Sequence, residues 1–244
     1  MAVVEWPPGE FWDQLRELNR QLERLRQCVD QVLAKIPGWL SEAAKPIVAA
    51  WDKIVELSKK IWKELEVFFA EPGDPGRLND AGKVFNESVQ GTVSAQAGKF
   101  TETYMKVDDK WKGDAAEAYK KVLKPDAPQT LALKQYAGTV LEVGKALNNC
   151  RWAIIGFWIA CGAALATLIG AIVAACIGVV SIAGTIPALL YGAGCIGAFL
   201  VAVGVAAGIA IGVMSDAATT FRIQNNGNDN LPAGKWPPSG VVAY

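Results

Sequence analysis

Few residues in this 244-residue chain have the types and spacing that chemistry requires. Histidine is absent, which excludes Ser-His and Cys-His nucleophile pairs and every histidine-bearing metal site. The five cysteines, Cys28, Cys150, Cys161, Cys176 and Cys195, include no CxxC pair. They read as small buried apolar groups, and an odd number cannot be fully paired within one chain. Asp108-Asp109 and Lys120-Lys121 are the charged clusters a proton transfer would need. Consecutive residues on a helix point about 100° apart, however, and such pairs read as solvated faces. The expectation is therefore a protein without catalytic residues, metal site or cofactor. The 24 basic and 24 acidic side chains leave no basic excess to neutralise phosphates, which argues against a nucleic-acid partner.

What the spacing does support is a tight turn between two helices, at Trp111-Lys112-Gly113-Asp114-Ala115-Ala116-Glu117-Ala118-Tyr119. Gly113 permits positive φ, the Trp111 ring can pack across the gap between antiparallel helices, and the alanines let the second helix approach closely. Asp114 stands where an N-cap is expected, with Glu117 three residues on as its capping-box partner. Upstream, Leu78, Ala81, Phe85, Val89, Val93, Phe100, Tyr104 and Val107 recur at helical spacing up to Trp111, a helix of roughly 50 Å at 1.5 Å per residue. Downstream, Pro125 and Pro128 interrupt the short helix, and Leu133, Tyr136, Val140, Val143 and Leu147 begin another. The interface of this hairpin is expected to use Phe85, Phe100, Tyr104, Tyr136, Val140 and Leu147.

With this turn, and with Gly73-Asp74-Pro75, Leu78 and Ala81-Gly82-Lys83-Val84-Phe85 before it, segment 72–149 resembles the Trp-x-Gly helical-hairpin family of type VII (ESX) secretion in actinobacteria and related bacteria. The resemblance implies a non-enzymatic protein that binds another helical hairpin of its kind, or a second copy of itself. It makes Trp111, Gly113, Asp114 and Tyr119 the turn residues. It also implies a Tyr-x-x-x-Asp/Glu export signal after the second helix, but Tyr119 is followed four residues later by Leu123 and Tyr136 by Val140. Travel outside the cell would then depend on a partner carrying the signal.

The elements on either side are set by charge and periodicity. Before the turn segment, Phe11, Leu15, Leu18, Leu22, Leu25, Val29, Val32 and Ile36 advance by steps of four and three, a heptad seam ended by Pro37-Gly38. Ile47, Ala50, Ile54, Leu57, Ile61, Leu65 and Phe68 form a second seam, expected to start near Pro46 because a helix tolerates proline in its first turn. After the turn segment, residues 152–215 form a run of 64 without one Asp, Glu, Lys or Arg. As one helix this run would measure roughly 96 Å, about three hydrocarbon thicknesses, so it must fold back. The break is expected at 181–187, giving spans near 152–178 and 188–214. Trp152, Phe157 and Trp158 stand where an interfacial aromatic belt would lie. Gly204, Gly208 and Gly212 make two overlapping GxxxG motifs, a membrane helix-packing face expected to meet the first span or another chain.

The chain thus reads as all-α: amphipathic helical hairpins with coiled-coil seams, then a two-helix transmembrane hairpin and a disordered tail. Its domains are residues 1–71, an amphipathic hairpin whose seam offers a second interaction surface; 72–149, the Trp-x-Gly-like hairpin; 150–215, the membrane hairpin; and 216–244, the tail. No export signal opens the sequence, an even number of spans puts both termini on one side, and the flanking lysines and arginines place that side in the cytoplasm. Two functions fit. One is an integral membrane protein of a type VII secretion setting that binds membrane lipid and a helical partner. The other is a secreted effector that inserts the apolar hairpin into a target membrane and forms pores.

Overall fold

The computed structural model describes residues 7–38, 41–100, 105, 111–179 and 181–227. All regular structure among them is helical: α1 (Gly9–Ala34), α2 (Ser41–Ala70), α3 (Pro75–Lys83), one π-helical segment (Val84–Val89), α4 (Gln90–Lys99), α5 (Asp114–Val122), α6 (Pro128–Gly178) and α7 (Ile182–Asn226). Contacts group the chain into two units. The first holds residues 1–74 and 153–211, the second residues 75–152 and 212–244. The N-terminal amphipathic hairpin and the apolar hairpin are therefore one packing unit, although the sequence reading separates them as 1–71 and 150–215.

The first unit is a four-helix bundle whose seams follow the periodicity of the sequence. Phe11, Leu15, Leu18, Leu25, Val29 and Val32 of α1 and Ile47, Ala50, Ile54, Ile61 and Leu65 of α2 are buried. On α6 the buried positions Ile154, Trp158, Cys161, Leu165, Leu168, Ile172 and Ala175 alternate steps of four and three. Leu189, Ala193, Ile196, Phe199 and Val203 are buried on α7, likewise at steps of three or four. Each fully buried aliphatic of this size contributes about 1.5–3 kcal/mol. The four helices meet directly. Cys176 Sγ of α6 lies 3.8 Å from the Gln21 carbonyl of α1, and a Cβ built on Gly192 of α7 would lie 3.6 Å from Ile54 of α2 and 3.6 Å from Ala175 of α6.

An aromatic cluster closes one end of this bundle. Phe11 meets Trp158 edge-on at 5.2 Å between centroids, Phe68 lies 4.7 Å from Phe157, and Phe69 stacks on Trp158 at 6.0 Å. The Trp158 indole N–H donates to the Pro72 carbonyl at 3.1 Å. Phe157 and Trp158 are consequently core residues, 7% and 3% exposed, and not members of an aromatic belt. Trp152, 55% exposed beneath the Arg151 guanidinium, keeps the exposed position the belt requires.

Helix ends differ from the sequence reading where a proline is tolerated further inside. Pro46 is the sixth residue of α2, which begins at Ser41, and Pro187 is the sixth of α7, which begins at Ile182. Each ring faces a first-turn carbonyl, where a slight bend disturbs no preceding turn. The break between the apolar helices is correspondingly shorter than 181–187. Ser181 caps it: its hydroxyl accepts from the Gly184 N–H at 3.2 Å, the Ncap-to-N3 bond.

The second unit has a thinner core. Leu123 and Val140 are its large buried aliphatics among the described residues, beside Ala97, Ala116, Ala127, Ala132, Ala137, Ala146 and Ala217. The expected helix from 78 to 111 ends at Lys99, where Phe100 leaves the helical region with ψ +64°. Residues 216–226, read as irregular tail, continue α7. Thr219 and Thr220 hydroxyls donate back to the Ser215 and Asp216 carbonyls, and Gln135 of α6 donates to the Gly227 carbonyl at 2.8 Å. The tail from residue 228 lies outside the described residues.

Candidate interaction surfaces

The turn motif takes the backbone form its glycine requires. Gly113 has φ +105°, a left-handed value that costs little only without a Cβ. Its carbonyl accepts the first helical bond of α5, from the Glu117 N–H at 3.1 Å. Gly113 is thus the N-cap, and Asp114 is the first helical residue and not the cap. Glu117 pairs with Lys120 at 3.2 Å instead of reaching back as a capping box. Trp111 packs on Tyr119 with ring centroids 5.3 Å apart, yet it stays 43% exposed. The ring braces its own turn and leaves one side open.

The expected helix-packing residues divide into two groups. Val140 is buried within the chain, whereas Phe85, Phe100 and Leu147 are half-buried and Tyr136 is 44% exposed. Tyr104 lies outside the described residues, as do Asp108 and Asp109. The α6 seam is carried by Ala137, Val140 and Gly144 in place of Tyr136 and Val143, one residue round the helix. Small residues win those positions because α3 and the π-helical segment come close. A Cβ on Gly82 would meet the Gly144 carbonyl at 3.5 Å, and a Cβ on Gly144 would collide with the Asn86 carboxamide. The π-helical register, which the sequence reading missed, brings Asn86 over that glycine. A hydrophobicity count carries no signal for it.

The glycine face of α7 is open. A Cβ on Gly204, Gly208 or Gly212 meets nothing within 4 Å, so among the described residues this face packs on no other helix. It belongs to a broader apolar surface that includes Ile159 and Ile177 of α6 and Leu190, Val201, Val205 and Ile209 of α7, all more than half exposed. Both α6 and α7 contain stretches long and apolar enough to cross a membrane.

The N-terminal heptads are used differently from expectation. They bury their seam inside the first unit and present charged faces outward, with ion pairs within each helix such as Arg20–Glu17 at 2.8 Å and Lys60–Glu56 at 3.2 Å. The Arg20 guanidinium and the Gln21 carboxamide hold the Glu17 carboxyl below its ordinary value. Such exposed pairs contribute little to stability. A groove of about 460 Å³ runs along this outer face, lined by Leu22, Glu23, Arg26, Trp51, Lys59 and Trp62 among others. Among the described residues no cluster of three Cys, Asp or Glu side chains forms a metal site. Burial raises the Cys150 thiol above its ordinary value, which disfavours the reactive thiolate. No family model, no curated protein and no solved structure matches the chain.

Proposed function

We propose that this chain is a non-enzymatic, membrane-associated helical protein that works by helix–helix contact, in the type VII secretion setting that its Trp-x-Gly turn implies. One observation carries the reading: 64 consecutive uncharged residues fold as an antiparallel helix pair whose outer face is apolar and exposed. Water-soluble monomers rarely present such a surface, and lipid is the solvent it suits. The second unit supports partner binding. Its core is mostly alanine, while Phe85, Phe100, Tyr136 and Leu147 remain partly uncovered, so a helical hairpin laid across them would bury the aromatic surface the unit lacks. The partner is another Trp-x-Gly-like helical protein or a second copy, and both termini lie on the cytoplasmic side. Fractionation of the producing cell tests this. The protein is expected in the membrane fraction; recovery as a soluble complex from medium or cytosol would overturn it.

A second reading, a secreted effector that inserts the hairpin into a target membrane, is favoured by a different observation. Helices α1 and α2 cover one face of the hairpin and turn their charges away from it. A hairpin that spans a bilayer has to shed that cover, because ions at hydrocarbon depth are expensive. Dye release from liposomes on addition of purified protein would support this reading, and intact liposomes at every pH would remove it.

A further inference from the structure

We propose that, with α1 and α2 in place, the uncovered face of the first unit docks flat on a lipid surface and does not span it. The inference deepens the membrane reading above and rests on it. The first unit is amphipathic as a whole body. Ile159, Ile177, Leu190, Val201, Val205 and Ile209 stand exposed on the hairpin, and no residue from 153 to 211 carries a charge. The ionic groups of the unit belong instead to residues 1–74, which contain ten basic and thirteen acidic side chains. On α1, Arg16, Arg20 and Arg26 form ion pairs along the helix with side chains more than half exposed. The exposed strip on α6 runs from Ile159 to Ile177, roughly 27 Å at 1.5 Å per residue. Upright in a bilayer, that length would draw the charged faces of α1 and α2 to hydrocarbon depth. Lying in the plane of the interface, it gives apolar side chains to the acyl boundary and ions to water, as amphipathic interfacial helices do.

The chemistry of the face selects lipid as its occupant. A protein interface has an apolar centre with a polar rim that fixes register through hydrogen bonds and ion pairs, and this strip has no ionic group along its length. Because the unit's charges belong to the covering segment and sum to a negative value, anionic headgroups have nothing to attract. Binding is therefore insensitive to salt and to anionic lipid, unlike that of a basic amphipathic helix.

The test uses the full-length protein and phosphatidylcholine vesicles in a flotation assay. Two native cysteines allow the cover to be locked, since the Cys28 thiol of α1 lies beside the Cys176 thiol of α6. Exchange with oxidised glutathione would join them, the two thiols giving two electrons and two protons to yield two reduced glutathione molecules; Cys28→Ser is the control. Reduced and cross-linked protein are both expected to float, equally well at high salt and with part of the lipid replaced by phosphatidylglycerol. The Ile177→Glu/Val205→Glu pair is expected to weaken binding roughly tenfold or more, with helicity and melting unchanged because both positions are exposed. Flotation of the reduced form alone would overturn flat docking while leaving the membrane reading intact. Undiminished binding by the Glu pair would show that another surface meets the lipid. A non-floating dimer in sedimentation would assign the face to a second copy, and failure of every form to float without dimerising would overturn both readings.

Discussion

At the scale of single residues, two glycines are held by geometry that a methyl group would spoil, for different reasons. Gly113 needs its positive φ, so Gly113→Ala is expected to destabilise the second unit by about 1 kcal/mol or more, read as a lower denaturant midpoint. Gly144 has an ordinary helical backbone but lies under Asn86. Gly144→Ala is therefore expected to lower the melting temperature, and Asn86→Ala in the same chain to restore much of the loss; additive losses would show that the two side chains do not compete. The positive φ at Gly113 is legible from the Trp-Lys-Gly-Asp sequence, since a turn between helices calls for it. The demand on Gly144 is not, because it comes from a residue 58 positions away brought over it by a π-helical register. The assignment of Asp114 as N-cap erred for a related reason: with glycine before it, the chain could enter the helix one residue earlier.

At the scale of elements, heptad spacing carries most of the information. Most of the α1 and α2 seam positions read from sequence are buried, while Leu22, Ile36, Leu57 and Phe68 are half-buried, and Leu25→Ala, at a position with no exposure, is expected to cost about 2–5 kcal/mol in equilibrium unfolding. A substitution on the opposite face, such as Arg26→Ala, is expected to stay within about 0.5 kcal/mol because its pairs at 3.9 Å are solvated. Sequence also placed the return of the apolar run within a few residues. It missed that Pro46 and Pro187 sit inside their helices as the sixth residue, where proline removes one hydrogen bond and its ring meets only a first-turn carbonyl. The long helix expected from 78 to 111 illustrates the converse. Its apolar positions recur correctly as far as Phe100, but periodicity alone cannot register the break at Phe100, whose ψ of +64° ends the helical ladder.

For the molecule as a whole, the division into units carries the functional argument. Deleting residues 1–74 would uncover Trp158, Cys176 and Gly192, which meet Phe11, Gln21 and Ile54. The remaining chain is expected to require detergent or vesicles to stay in solution, measured by sedimentation; a soluble, monomeric remainder would contradict the role of α1 and α2 as a cover. What sequence alone determined is the all-helical class, the seam positions and the uncharged pair, because these follow from the period of 3.6 residues and from the cost of placing ions in an apolar environment. What tertiary structure decided is which seams meet. An apolar stripe on α1 is compatible with α2, with a partner or with α6, and hydrophobic burial does not discriminate among them. The aromatic rings of Phe11, Phe69 and Trp158 and the contact of Gly192 with Ile54 settle that choice by shape, and shape complementarity across some hundred and fifty residues of chain is not written in any local pattern.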